Sequence, residues 1–565
     1  MKIDTRMQNR LKLQKAQIFI LKRVKGIKKV NRLNFIFLFA MIAVANQVAA
    51  MEQQTDTIYV RGTKIPVAIG ASSEYALIRT PKPGLVPKIN GPKVYGARPG
   101  NPFLYRIPTT GKRPMIFAVK YLPAGLSLDK NTGIITGVLV GKGEFTVEIT
   151  AQNNYGKSVR PLKIVSGDKL ALTPPMGWNN WYAFYERITD KMMREAADHL
   201  VRLGMADAGY QYVSIDDCWM NAKENKDPGR IGPARDSTGA ILPNSYFPDM
   251  KGLTDYIHSK GLKAGIYTSP GITTCAGFTG SFGYEWRDAK QFADWGFDFL
   301  KYDYCSYSSI EKEIKGMNLD LSPEQIMKQP YFNMGAILRS QKRDIIFNLC
   351  QYGRKVWEWG PEAGHSWRTG SDLGGQVGKF YDIAKKSADN FGKWSKPSAW
   401  NDLDYILIGY VGNPDGSRIP ELTKLSPAEQ YSFMSLWCLL SAPLFYSGDF
   451  SRLNEFTLNI LCNTEVIAVN QDPLGKPAAV INRTEDTFVM VKELEDGSRA
   501  IGLFNKGKTP AAVEIKWWET GMQGDQLRVR DIWHQKNLGN FKKGYTISVP
   551  PRDVVFIVAS DRLKK

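Results

Sequence analysis

Several features that would direct this chain to other chemistries are scarce or missing. Only four histidines occur, His199, His258, His365 and His534, and no Cys-x-x-Cys pair exists among the six cysteines. A structural zinc site and a histidine-based protease therefore find little support. No Gly-rich phosphate turn follows a strand pattern, which argues against a dinucleotide-binding doubly wound sheet. No apolar run reaches the roughly 20 residues of a membrane span. No basic-aromatic recognition module is present, although a net charge of +20 invites a nucleic-acid reading. Half of that excess lies in residues 1–33, which hold eleven Lys/Arg against one acid, Asp4.

The basic stretch runs into the apolar segment Phe35–Val44 and then Val48-Ala49-Ala50. This is the pattern of an export signal, with cleavage expected after Ala50. No Cys follows the apolar segment, so no lipid anchor is expected. The mature protein is expected to be periplasmic or extracellular, where cysteines can pair.

What is present is ordinary globular material: 565 residues, 43% hydrophobic and 23% charged, enough for three or four domains. Residues 51–90 form an N-terminal segment rich in Pro, Gly and Lys, without strong periodicity. From 91 to 168, short alternating runs such as Phe145–Ala151 are separated by turns such as Asp129-Lys-Asn-Thr-Gly133. This predicts a small β-sandwich. From 169 to 475, apolar runs alternate with helical stretches. Eight strand candidates start at Met176, Tyr212, Gly261, Phe297, Ile345, Trp367, Trp400 and Pro443. Their number and spacing predict an α/β (β/α)8 TIM barrel. Residues 476–565 read as a C-terminal antiparallel β-domain, with runs at Phe488–Lys492, Ala500–Phe504 and Val554–Val558.

Asp216, Asp217, Asp303 and Asp372 fall at the ends of barrel strand candidates, where side chains converge on one mouth. Cleaving an acetal with retention needs two carboxyl groups, one to attack the anomeric carbon and one to protonate the leaving oxygen. Lys301 lies two residues before Asp303, so both face the same side of a strand. Arg368 lies four before Asp372. Any one of these aspartates could be a rim ion pair; four at strand ends with two cations favour a site.

The motifs Thr173-Pro-Pro-Met-Gly-Trp-Asn-Asn-Trp181, Ile215-Asp-Asp-Cys-Trp219, Leu300-Lys-Tyr-Asp-Tyr-Cys305, Trp367-Arg-Thr-Gly-Ser-Asp372, Trp400-Asn-Asp402 and Asn470-Gln-Asp-Pro-Leu-Gly475 stand in order. Together they resemble the family 27 glycoside hydrolases, the melibiase-type α-galactosidases. The segment Leu122–Gly137 resembles the immunoglobulin-like modules appended to exported bacterial enzymes, where a spacer role is the preferred reading. The resemblance implies a retaining exo-α-galactosidase without a cofactor or metal, acting on oligosaccharides or polysaccharides. It assigns Asp303 as nucleophile and Asp372 as acid/base. It makes Asp216, Asp217, Lys301 and Arg368 sugar contacts, Trp178 the stacking aromatic and Tyr267 a pocket wall. It also pairs Cys275 with Cys305, and leaves Cys218 and Cys350 as buried thiols. Gln351 falls where the C2 substituent is read and is expected to exclude an N-acetyl group. A β-L-arabinopyranosidase, an α-N-acetylgalactosaminidase and a non-catalytic sugar binder are the alternatives. The intact Asp216-Asp217 pair and the presence of both Asp303 and Asp372 argue for the galactosidase. No nucleic-acid partner and no membrane span in the mature chain are expected.

Overall fold

The computed structural model describes residues 56–60, 63–67, 78–412 and 418–561. The expected export signal lies outside the described residues. Among them, no helix is long and apolar enough to cross a membrane.

Eight short parallel strands form the central barrel: β1 Met176–Asn179, β2 Tyr212–Ser214, β3 Lys263–Thr268, β4 Phe299–Asp303, β5 Ile346–Cys350, β6 Ser366–Arg368, β7 Trp400–Asp402 and β8 Leu444–Tyr446. They pair in the order β7-β6-β5-β4-β3-β2-β1-β8. A parallel bridge between Ile406 and Tyr446 closes the ring between β7 and β8. Nearly every strand residue is buried, as expected for parallel strands covered by helices outside and side chains within. The surrounding helices start where their sequences provide caps. Ser322 and Ser426 each head a Ser-Pro helix with a complete capping box, closed by Gln325 and Glu429 respectively.

The C-terminal domain has a six-stranded antiparallel sheet backed by the pair Ala511–Lys516 and Gly544–Val549. Its strand 487–493 shows how alternation assembles two interfaces at once. Val489 and Val491 enter the domain's own core, whereas Phe488 and Met490 join the barrel core. Helix Pro427–Leu439 lies between the two and is buried on nearly all sides. This domain is therefore welded to the barrel through an apolar face.

The N-terminal sandwich pairs a four-stranded sheet with a three-stranded one around Phe103, Ile135, Val147, Ile149, Leu162 and Ile164. It begins a little earlier than the sequence suggests, since Lys88–Ile89 pairs with Thr109–Thr110 and Ile89 belongs to its core. Polar contacts join it to the barrel. Arg98 pairs with Asp344 at 2.7 Å, and Arg113 with Asp207 at 2.8 Å. Asp344 precedes β5, so the module sits at the N-terminal end of the barrel, away from the mouth.

Beside this junction lies a buried charge cluster. Asp298, just before β4, accepts from Arg343 at 2.7 Å and lies 2.8 Å from His258 Nε2. Burial works to raise the Asp298 carboxyl, but Arg343 and His258 outweigh it and hold it at about 2. A depressed carboxylate contributes stability above its unfolded pKa and loses it as pH falls through the folded value. Asp298→Asn should therefore cost about 2 kcal/mol at pH 7. It should also flatten the acid loss of stability between about pH 4 and 2. Urea unfolding across that range checks both; an unchanged acid slope would contradict the assignment.

Candidate active site

At the C-terminal ends of the strands, Trp181, Tyr182, Asp216, Asp217, Tyr267, Cys275, Lys301, Asp303, Arg368, Asp372, Asp404 and Tyr405 enclose one small cavity. Its floor is an ion pair. Lys301 Nζ lies 2.9 Å from Asp216 Oδ2 and 4.0 Å from Asp303 Oδ2. The same Asp216 oxygen accepts from Asn179 at 3.0 Å and from the Tyr405 hydroxyl at 2.9 Å. Lys301 is also flanked by the rings of Tyr267 and Tyr405, 5.2 and 5.1 Å from their centroids. Period-two alternation on β4 sends Lys301 and Asp303 to this side together.

Asp217 faces the next loop, accepting from the backbone N–H of Ala276 at 2.9 Å. Burial pushes its carboxyl up to about 7, against the pull of that amide. The loop is clamped by a disulfide between Cys275 and Cys305, which follows Asp303 by two residues. Burial also raises Asp303. Lys301 opposes the rise and Asp372 adds to it.

A second cation serves Asp372. Arg368, at the end of β6, lies 3.1 Å from Asp372 and 3.0 Å from Asp404. Asp404 also accepts from the N–H of Leu373 at 2.6 Å, tying down the turn that carries Asp372. Enclosure opposes ionisation of Asp372, but Arg368 and Lys301 outweigh it and hold its carboxyl below the usual range. Burial pushes Asp404 up to about 6, with Arg368 opposing. The Asp372 side chain is 57% exposed, whereas those of Asp216, Lys301 and Asp303 are under 10%. The cavity thus has a closed, charged floor and opens beside Asp372. Non-glycine residues with positive φ stand beside the site residues in sequence: Cys218 follows Asp217, Cys305 follows Asp303 by two, and Asp404 itself lines the cavity. Strain of this kind collects where a site is over-determined by its surroundings.

The structure brings Asp216, Asp217, Tyr267, Lys301, Asp303, Arg368 and Asp372 to one cavity. Two expectations need correction. Trp178 does not line it: the ring is fully buried, donates to the Gly448 carbonyl and stacks on Phe450. On β1 Asn179 points inward to Asp216, so alternation turns Trp178 outward, and Trp181, past the strand end, supplies the pocket's indole. Gln351 is also turned away, with its amide oxygen accepting from the Arg354 N–H. Cys350 faces inward, with its sulfur 3.8 Å from Arg368, so the next residue points elsewhere. Gln351 is therefore not in a position to exclude an N-acetyl group. Trp181, Tyr182, Asp404 and Tyr405 also line the pocket, although the sequence does not single them out. Asp404-Tyr405 follows a strand end as Asp216-Asp217 does, which is the signal that marks them. Cys218, Cys350 and Cys438 are buried thiols, as expected for the first two.

Paired carboxylates, each beside its own cation, in a small enclosed pocket at a (β/α)8 mouth define the site of a glycoside hydrolase. The chain belongs to the melibiase-type α-galactosidases, glycoside hydrolase family 27: the "Alpha galactosidase A" family model matches residues 173–472. The α-galactosidase C-terminal β-sandwich model matches 484–559, and an Ig-domain model matches 86–166. The chain is 33% identical to α-galactosidase A of Cellvibrio japonicus, over 70% of this chain and 94% of that one. It is 37% identical to α-galactosidase of Cyamopsis tetragonoloba, over 64% of this chain and 80% of the relative. The solved α-galactosidase I of Mortierella vinacea superposes with a TM-score of 0.60 at 29% identity, covering 70% of this chain and 99% of that one.

The clamp makes a simple prediction. Thiol titration of unfolded protein should find two fewer thiols without reductant than with it. Equal counts would show the Cys275–Cys305 bond to be absent.

Proposed function

We propose that this protein is a retaining exo-α-galactosidase that removes terminal α-linked galactose from oligosaccharides or polysaccharides. One observation carries the reading: Asp303 and Asp372 face one closed-floor pocket, each with its own cation, in a member of this family. The closed floor supports exo action, because only a chain end fits. The carboxylates of Asp216 and Asp217 and the ammonium of Lys301 suit the hydroxyls of one pyranose, and the indole of Trp181 offers it an apolar face.

The reaction is a double displacement. Asp303 attacks the anomeric carbon as the bond to the leaving oxygen breaks, and Asp372 gives that oxygen its proton. Asp372, now ionised, takes a proton from water, whose oxygen displaces Asp303 and restores it. Lys301 favours the ionised form of Asp303. A leaving group seated over the exposed Asp372 strips its water and favours the protonated form. Arg368 and Asp404 hold that carboxyl in place. An exported, periplasmic or extracellular location is part of the proposal. The basic-apolar leader ending at Ala50 supports it, as does a disulfide suited to an oxidising compartment.

Asp303→Ala and Asp372→Ala should fail differently. Azide should rescue the first by attacking from the vacated side, giving the β-galactosyl azide. In the second it should attack the covalent intermediate and give the α-product, and the loss should be smallest on substrates with good leaving groups. NMR of the products decides. The same anomer from both variants would reverse or remove the assigned roles.

A further inference from the structure

Nearly all the surplus positive charge outside residues 1–50 lies in one place. Residues 86–166, the span of the Ig-like module, hold twelve Lys/Arg against three acids. From residue 167 to the end, 48 Lys/Arg meet 48 acids, so the barrel and the C-terminal domain together are neutral. A charge confined to one small module acts on whatever that module faces. Part of it faces the rest of the chain. Lys88, Lys93, Arg98, Arg106 and Arg113 meet Glu465, Glu495, Asp344 and Asp207 across the junction. The other seven cations make no such contact. Only four acids stand near them: Asp129, Glu144, Glu148 and Asp168.

Two of these seven, Lys112 and Lys157, border an apolar patch. On the module's larger sheet, Gln152 stands opposite Lys157 on one side and Ile116 on the other, and Thr150 stands opposite Val159. Opposed residues on neighbouring strands share a face. The alternate residues Val147, Ile149 and Ala151 are buried, so this face is the one in water. The turn after Asn153 adds Tyr155. Asn153 also ties in a neighbouring segment, donating to the carbonyls of Leu85 at 2.8 Å and Lys112 at 2.7 Å. Leu85, Val86, Ile116, Tyr155 and Val159 are each between 48% and 54% exposed. No described acid pairs with Lys112 or Lys157. Single exposed apolar residues are ordinary, but five held together and edged by lysines mark a contact surface.

We infer that this face of the module binds an anionic lipid surface, with the aliphatic side chains and the Tyr155 ring entering the headgroup layer and Lys112 and Lys157 meeting lipid phosphates. Apolar side chains in the interface and lysines at an anionic leaflet reinforce each other. A sugar polymer would gain little from Leu85, Val86 and Val159, which offer neither a flat face for a ring nor a polar group for hydroxyls. The inference is independent of the reaction proposed above. The module docks at the N-terminal end of the barrel, so lipid binding there leaves the pocket at the other end free.

The test is sedimentation of the chain without residues 1–50 with phosphatidylcholine vesicles, with and without phosphatidylglycerol. Omitting those residues removes their own eleven cations. The protein should bind the anionic vesicles, bind the neutral ones far less, and come off as salt is added. Lys112→Ala with Lys157→Ala should weaken binding at least tenfold, since one lysine at an anionic leaflet contributes about fivefold. Leu85→Ser with Tyr155→Ser should weaken it at any salt concentration. All four positions are exposed, and circular dichroism of the variants checks that the fold is kept. Equal binding to both vesicle types, binding to neither, or variants that bind as wild type does would overturn the inference. Retention on a polyuronic acid but not on vesicles would also overturn it and assign the face to an acidic polysaccharide.

Discussion

The contact between Lys301 and Asp216 is the constraint on which the rest of the site depends. Taking a carboxylate out of water is costly unless it is paired and hydrogen-bonded. Here one ammonium stands between Asp216 at 2.9 Å and Asp303 at 4.0 Å, and Asn179 and Tyr405 complete the shell around Asp216. The pair is legible as chemistry as well as structure. The cation that makes burial of Asp216 tolerable is the one that favours an ionised Asp303. Removing Lys301 would leave the Asp216 and Asp303 carboxyl groups buried without the cation that stands between them.

The fold is arranged around that floor. Four different strands deliver Asp216, Lys301 with Asp303, Arg368 and Asp404, and the barrel's closed ring fixes their mutual positions. A second chain of contacts holds the other carboxyl: Asp402 accepts from the Asp404 N–H, Asp404 from the Leu373 N–H, and Arg368 joins Asp404 to Asp372. The two accessory domains attach elsewhere. The C-terminal sheet covers helix Pro427–Leu439, and the N-terminal module docks at the opposite end of the barrel from the pocket. The mouth is left open on the side of Asp372, where a leaving group has to depart.

Much of this was legible in the sequence because barrel strands are short, buried and end in the residues that matter. Eight apolar runs predicted eight strands, and acids at their ends predicted one mouth. The errors came from individual side-chain directions. Trp178 sits one residue from Asn179, and on a strand one residue is the difference between the pocket and the helix layer. Gln351 follows an inward-facing Cys350 into a turn with left-handed backbone at Tyr352, a bend that no periodicity reveals. Asp404 carries the same signal as Asp216, an acid just beyond a strand, but its role needed the third dimension, since its partner Arg368 is on another strand. The edge of the N-terminal module was misplaced because a two-residue strand, Lys88–Ile89, is too short to show alternation.

As nucleophile, Asp303 forms a covalent bond to galactose. Incubation with a slowly hydrolysed fluorinated galactosyl fluoride, followed by mass spectrometry of the digested protein, tests it most directly. One galactosyl-derived adduct per chain is expected, on the peptide that contains Asp303. An adduct on Asp372, or continued turnover of the reagent to inverted product with no adduct at all, would contradict it.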